Sequence, residues 1–449
     1  MHARKTNAWT YCGVLSVAVM MAWTTTALAA SFTVTKTADT NDGACNADCS
    51  LREAISAANA NPGADSITVP AGNYVLTLLG SGEDFAATGD LDIRGGVTLT
   101  GAGAATTIID GNGTSVAPDR VLHIISGSVS ISAITIQNGN SGDFGGGIFA
   151  FSGPLTLTNS MLTGNSASNG GGIFNSTTTT LTNSTLSGNS AGSGNGGGIY
   201  SLSGTVALTN STLSGNSAPS GTGGGIYGLS GTVALTNSTL SGNSAPSGAG
   251  GGIFSTNATI TLTNSIVANS TSGGNCAGSS ITDHGHNLDS DGSCGVGPVT
   301  NPLLAPAGLA NNGGPTQTIA LLLGSPAIDG GSDAACAAPP VNGLDQRGLL
   351  RPGAGHTHCS IGAYEFSFAP TPTSTPTATP TKTPGGPVCT CLGDANKNRF
   401  VNSTDFAAVQ ANFGRPADPL TGLGDANCNG FVNASDFAAV QANFGRPCP

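Results

Sequence analysis

Five copies of a short block, Gly-Gly-Gly-Ile followed by Phe or Tyr, run through the middle of the chain, with isoleucine at 148, 173, 199, 226 and 253. The successive spacings are 25, 26, 27 and 27 residues. Each block is followed by Leu-Thr-Asn-Ser, with asparagine at 159, 183, 210, 237 and 264. A Gly-Asn-Ser block comes next, with asparagine at 165, 189, 216 and 243 and Asn269 in the same phase. Within a unit, Thr205-Val206-Ala207-Leu208-Thr209 alternates polar or small with apolar, the period of a half-buried strand. Gly and Asn interrupt it at regular places, as corners between short strands require. A fixed period in the twenties built of short strands is a solenoid signature, one period to one coil. Equivalent positions then stack about 4.8 Å apart. Ile148, Ile173, Ile199, Ile226 and Ile253 form one inward ladder, Leu157, Leu181, Leu208, Leu235 and Leu262 a second, and the asparagine columns bond along the axis. A leucine-rich horseshoe shares the period but not the leucine spacing, and a calcium-binding RTX repeat needs an aspartate after its glycines.

Less regular strand-like segments flank this array, among them Ile67-Thr68-Val69, Val97 to Thr100, Thr107 to Ile109 and Ile134 to Ile136. Residues 65–325, with the regular repeats at 145–270, therefore read as an all-β solenoid of about ten coils. Open solenoid ends are exposed strand edges, so residues 30–64 and 326–368 are expected to cover them. Residues 369–387, APTPTSTPTATPTKTPGGP, form an extended linker in which proline prevents a packed core.

Beyond the linker, residues 388–449 hold a second repeat, at 393–416 and 424–447. Each copy places side-chain oxygens at positions 1, 3, 5, 9 and 12 of a loop. These are Asp394, Asn396, Asn398, Asn402 and Asp405, then Asp425, Asn427, Asn429, Asn433 and Asp436. Position 7 offers the backbone carbonyl of Phe400 or Phe431. This is EF-hand spacing with Asp at position 12, and it implies calcium, which takes six or more hard oxygens. A short helix is expected after each loop, with Phe406, Val409 and Phe413 on one face, mirrored by Phe437, Val440 and Phe444.

Charged residues make up only 8% and the net charge is −11, which argues against nucleic acid and anionic membranes as partners. Arg4 and Lys5, an apolar run from Gly13 to Trp23, and Ala27-Leu28-Ala29 read as a signal peptide over residues 1–29. The run is too short to span a bilayer, so no membrane insertion is expected. The expected location is extracellular, secreted or cell-surface associated. Cys12 leaves with the leader. The other ten cysteines, in an oxidising compartment, read as disulfides. Cys276 with Cys294 and Cys336 with Cys359 are the simplest pairs. Cys45 and Cys49 form a third local cluster, and Cys389 and Cys391 are left to pair with Cys428 and Cys448 in an undetermined order.

Three resemblances bear on the solenoid and a fourth on the tail. Cys49-Ser50-Leu51-Arg52-Glu53-Ala54 matches the CSLREA block near the start of many secreted bacterial β-helix proteins, where it caps the N-terminal end. The GGGI and LSGN blocks look like the paired repeats of polymorphic outer-membrane proteins. Asn301 to Leu304, Asn311 to Thr316, Gly324 to Asp329, Asp345 to Gly348 and Cys359 to Glu365 resemble the end of the choice-of-anchor β-helix family. Together they imply a right-handed parallel β-helix of the pectin-lyase-like kind. The duplicated loop and helix behind a Pro/Thr linker resembles a type I dockerin, which implies a small α-helical calcium domain and a cohesin-like scaffold as partner.

Many parallel β-helices degrade polysaccharide, and such chemistry needs an acid/base pair, or Arg with calcium-binding aspartates, on adjacent coils. From Gly145 to Ser270 there is no Asp, Glu, Lys, Arg, His or Cys, so the regular coils supply no such pair. Asp90, Asp92 and Arg94, and Asp110, Asp119 and Arg120, form two early clusters that read as surface turns and salt bridges. Asp283, His284, His286, Asp289 and Asp291 fit a polar disulfide-closed loop better than a metal site. Asp345, Arg347, Arg351 and Glu365 read as a paired network in the C-terminal cap, and His356 and His358 carry no specific spacing. The catalytic residues stay unknown. The expected function is non-catalytic, adhesion or contact with a glycan or cell surface. The alternative is a hydrolase or lyase in polysaccharide catabolism, of the glycoside-hydrolase or pectate-lyase-like kind.

Overall fold

In the computed structural model, residues 28–113 and 119–367 are described, together with Ala408, Val409 and Val440. Two compact units separate at Phe366 and Ser367. The first is a β-solenoid of three parallel sheets with ten, eight and nine strands. Eight coils place a strand in every sheet, or seven turns from the first full coil to the last, rather than about ten. Residues 301–325 account for much of the difference. They form antiparallel bridges, Leu304 with Leu321 and Ala310 with Thr318, instead of coils. Pro302, Pro306 and Pro315 cannot donate to a ladder, which keeps such a segment out of a central strand.

Both apolar ladders form as the period implies. Ile148, Ile173, Ile199, Ile226 and Ile253 pair in register and each is fully buried. Leu157, Leu181, Leu208, Leu235 and Leu262 pair likewise in the ten-stranded sheet. The corner asparagines Asn159, Asn183, Asn210, Asn237 and Asn264 take left-handed backbone angles, φ +46 to +51, a region that asparagine tolerates better than most residues. Gly145 opens its block for a related reason. Its φ is +63, and a Cβ there would collide with the Ile148 carbonyl.

Asparagines 165, 189, 216 and 243 form a buried hydrogen-bonded column. Each side-chain amide of the first three donates to the next Oδ1, at 3.0, 2.9 and 3.0 Å. Asn269 does not extend it. The pairing of Thr239–Ser241 with Ile266–Ala268 puts Asn269 at the left-handed corner matching Gly242. On the next coil the Val267 carbonyl is bonded by Asn275.

At the N-terminal end, Ser31–Thr33 opens the ten-stranded sheet by pairing with Ala64–Val69. Between them lies a helix at Leu51–Ala60, started by a reciprocal Ser50/Glu53 capping box. Its Leu51, Ala54, Ile55 and Ala58 join the main hydrophobic core. Its Arg52 is fully buried. That guanidinium pairs with Asp39 at 2.7 Å and donates to the carbonyls of Ala86, Gly89 and Asp90.

After the last solenoid strand, Leu288–Asp289, the chain folds back along the outside of the nine-stranded sheet as a strap. Ala363 N donates to Thr239 Oγ1, Thr212 Oγ1 to Gln346 Oε1 and Thr185 Oγ1 to the Gln317 carbonyl. Ile266, Ala268, Leu288, Leu321, Ala327 and Ile361 close a second apolar cluster beneath it. Disulfides join Cys45 to Cys49, Cys276 to Cys294 and Cys336 to Cys359. Cys389, Cys391, Cys428 and Cys448 lie outside the described residues.

Candidate functional site

Of the two early charged clusters, the fold unites four members and leaves two apart. Asp92 and His123 are register partners on neighbouring coils of the eight-stranded sheet. His123 Nδ1 lies 3.2 Å from Asp92 Oδ1 and 3.7 Å from Oδ1 of exposed Asp84. Arg120 Nε lies 3.6 Å from Asp90 Oδ2 and 3.8 Å from Asp119 Oδ1, while Asp119 Oδ2 accepts the Asp90 N–H. Burial, then the nearby charges of Asp119 and Asp92, push the Asp90 carboxyl up to about 8. Burial also raises Asp119, although its bonds from the Arg120 N–H and the Arg120 charge pull the other way. Arg94 instead stacks over the exposed Phe85 ring, 4.3 Å away. Asp110 stands apart, accepting from Gln137 and Asn138 beside an open groove of about 470 Å³.

Asp84, Asp92 and His123 are the one group of three metal-type donors that converges among the described residues. The hydrogen bonds of this site are internal: Asp92 Oδ2 accepts the Ala86 N–H at 2.8 Å while Oδ1 faces the imidazole. An Asp–His pair of this kind orients the ring and fixes its tautomer.

The same outward column continues as a row of rings. From His123 the register runs through Phe149, Phe174, Tyr200 and Tyr227 to Phe254. Ring centroids lie 4.8 to 5.7 Å apart along it, and Arg120 stacks on Phe149 at 4.9 Å. Sequence reasoning passed over this column, although Phe or Tyr after every Gly-Gly-Gly-Ile was its signal.

The polar loop between Cys276 and Cys294 is hydrogen-bonded within itself. Buried Asp289 accepts from Asn275 and Cys294, and Asp291 from Ser293 and Asn275. His286 bonds the Gly330 carbonyl, and His284 joins no convergent group. In the strap, Arg347 pairs with Asp345 at 2.7 Å and Arg351 with Glu365 at 3.1 Å, all four nearly or fully buried. Desolvation lowers the Arg351 pKa, against the pull of Glu365 and Asp345. His356 and His358 pair with Asp329 and Asp333. The bond to Asp333 raises His358 and lowers its partner.

The calcium-loop positions lie outside the described residues, from Asp394, Asn396, Asn398, Phe400, Asn402 and Asp405 to Asp425, Asn427, Asn429, Phe431, Asn433 and Asp436. Val409 and Val440, equivalent in the two copies, are both helical and buried. No helix among the described residues is long and apolar enough to cross a membrane.

Residues 392–445 match the model of the dockerin type I domain. Such domains bind calcium and dock onto cohesin partners. No curated protein and no solved structure matches the chain.

Proposed function

Taking the chain as a β-helix followed by a C-terminal dockerin type I domain, we propose that it works outside the cell as a non-catalytic module. Its solenoid meets a neutral glycan or a cell surface, and its tail ties it to a cohesin-bearing scaffold. The carrying observation is the uncharged stretch from Gly145 to Ser270, which leaves the regular coils only hydroxyls, amides and rings to present. Among the described residues, the arginines outside it with buried side chains, Arg52, Arg347 and Arg351, are each paired with a carboxylate. Each tail loop supplies two carboxylates, three side-chain amides and one backbone carbonyl, a hard-oxygen set that suits calcium rather than a softer metal. Full-length protein should be captured by a cohesin in calcium and released by chelator, and should yield no new reducing ends or unsaturated products from polysaccharides. Calcium-independent capture sinks the docking half, and product release sinks the non-catalytic half.

One observation favours the second reading, a hydrolase or lyase. Asp90, protonated near neutral pH, stands beside Asp119 and Arg120, and a buried acid of that kind suits proton donation. On that reading Asp90→Asn abolishes any activity the screen finds.

A further inference from the structure

The nine-stranded sheet stacks outward hydroxyls over a few coils, as Thr185, Thr212 and Thr239 and as Ser187, Ser214 and Ser241, but the ten-stranded sheet carries such ranks nearly from end to end. Every strand from Ser31–Thr33 to Thr259–Thr263 carries Thr or Ser at one outward position, and the registers align these as a straight rank from Thr33 to Thr263. A second rank, two residues earlier, runs from Ser31 to Thr282 and departs from Thr or Ser only at Ala207 and Ala234. Thr178, Thr205, Thr232 and Thr259 begin a third. No bulge breaks these pairings, so the hydroxyls stand on a lattice. They repeat at about 4.8 Å across strands and about 6.6 Å along them.

The face is open and uncharged. Thr68, Thr98, Thr100, Thr178 and Thr259 are exposed and most other members are half-buried, whereas the strap lies against the nine-stranded sheet. Among the described residues, the hydroxyls of Thr156, Thr158, Thr180 and Thr182 donate to no protein acceptor. No charge, aromatic ring or side-chain amide stands in the ranks from Ser31 to Thr263. A soluble glycan is gripped by ring faces and by convergent amides and carboxylates, and this face offers none. It offers one hydroxyl and, at each Thr, one methyl, repeated in two dimensions. Methyls that shed water and hydroxyls that bond it at fixed intervals hold a water layer in a repeating arrangement. The intervals fall in the range at which oxygens repeat on planes of ice.

We propose that this face binds ice. The ligand complements it in three respects: it is uncharged, it is two-dimensionally periodic, and it consists wholly of hydroxyl donors and acceptors. The proposal is independent of the dockerin tail and of any glycan partner.

The test uses the full chain in calcium buffer, with ice-recrystallisation inhibition and partition into a slowly growing ice front as readouts. The wild type should inhibit recrystallisation and enter the ice phase. Thr100→Lys and Thr180→Lys, which put a charged stem on the lattice without touching the core, should each lose at least tenfold in the inhibiting concentration. Ser247→Lys, at an exposed position on a loop of the solenoid, should match wild type, and circular dichroism checks that all variants keep the fold. Absence of inhibition and partition in the wild type overturns the proposal, and so does an equal loss in Ser247→Lys. Capture of the wild type by an insoluble neutral polysaccharide, abolished by Thr180→Lys while ice is ignored, also overturns it and assigns the face to a glycan.

Discussion

Asn216 is the sharpest single test of what holds the coils together. Its side chain is buried and makes four hydrogen bonds. Oδ1 accepts from Asn189 N and Nδ2 at 3.1 and 2.9 Å, and Nδ2 donates to the Leu186 carbonyl and Asn243 Oδ1, both at 3.0 Å. Asn216→Ala does not remove all of these partners' bonds. Asn189 Nδ2 keeps the Leu162 carbonyl, and Asn243 Oδ1 keeps the Asn216 N–H. The backbone N–H of Asn189 loses its acceptor, and the Leu186 carbonyl loses its side-chain donor. The Asn189 N–H left unpaired costs about 1–3 kcal/mol and the lost bond to the Leu186 carbonyl about 0.5–1.5 kcal/mol, so the two together predict a loss of about 1.5–4.5 kcal/mol. Urea denaturation followed by far-ultraviolet circular dichroism reads it, with Ser247→Ala as a surface control expected within about 0.5 kcal/mol of wild type. Asn216→Asp sharpens the test, because it turns a donor into an acceptor facing the Leu186 carbonyl and Asn243 Oδ1. Its carboxyl must stay protonated, so its deficit should grow as pH rises. A loss under about 1 kcal/mol in Asn216→Ala, or a pH-independent Asn216→Asp, refutes the asparagine column as a support of the fold.

Asp90 holds its proton more tightly folded than unfolded, so it favours the fold below its unfolded value of about 4. That contribution is lost as pH rises toward about 8; pH-dependent melting should be flatter over this range in Asp90→Asn. Replacing Cys336 and Cys359 together with serine opens a loop of sequence separation 23 and should cost about 3 kcal/mol by chain entropy, read by denaturation with and without reductant. In the tail, Gly430 stands at loop position 6 where the other copy has Arg399. The second loop should therefore fill first, and calcium calorimetry should show Asp425→Ala losing the tighter site while Asp394→Ala keeps it.

The solenoid was legible because its period is long, repeated and tied to residue type. Gly-Gly-Gly-Ile marks a coil start and Leu-Thr-Asn-Ser a corner, and both apolar ladders followed from counting. The site at Asp92 and His123 was not legible in the same way. Those two stand 31 residues apart, out of phase with the 25 to 27 of the regular coils, so only the register of an irregular coil brings them together. The aromatic column was hidden for the opposite reason. Its rings sit in the repeat itself, where Phe and Tyr beside glycine read as ordinary strand residues. Coil counting failed past Asp289, because Leu303-Leu304 and Ile319 to Leu323 are as apolar as strand segments. Proline and paired glycine between them turn the chain back instead.

That turned-back strap changes what the repeat predicts about deletion. The period alone says that removing one unit, Gly198 to Gly224, leaves the remaining coils in register, since Ile226 would stack on Ile173 as Ile199 does. The core should accept this. The strap should not, because it is a ruler laid across several coils. Gln346 bonds Thr185 on one coil and Thr212 on the next, while Ala363 is fixed to Thr239 and Ser332 to Asn264 farther along. After the deletion Thr239 can replace Thr212 beneath Gln346, but Ile266, which has no hydroxyl, then stands where Ala363 N needs Thr239 Oγ1. One end of the strap must let go. Hydrogen exchange followed by mass spectrometry should show the coil amides as protected as in wild type, and faster exchange either around Gln317 and Gln346 or around Ile361 and Ala363. Ile226→Asp should do the reverse, placing a charge in the inward ladder and releasing the coils first, at a cost of several kcal/mol. If the shortened chain keeps full protection along the whole strap, the strap does not measure the solenoid and its bonds to the threonine column are incidental.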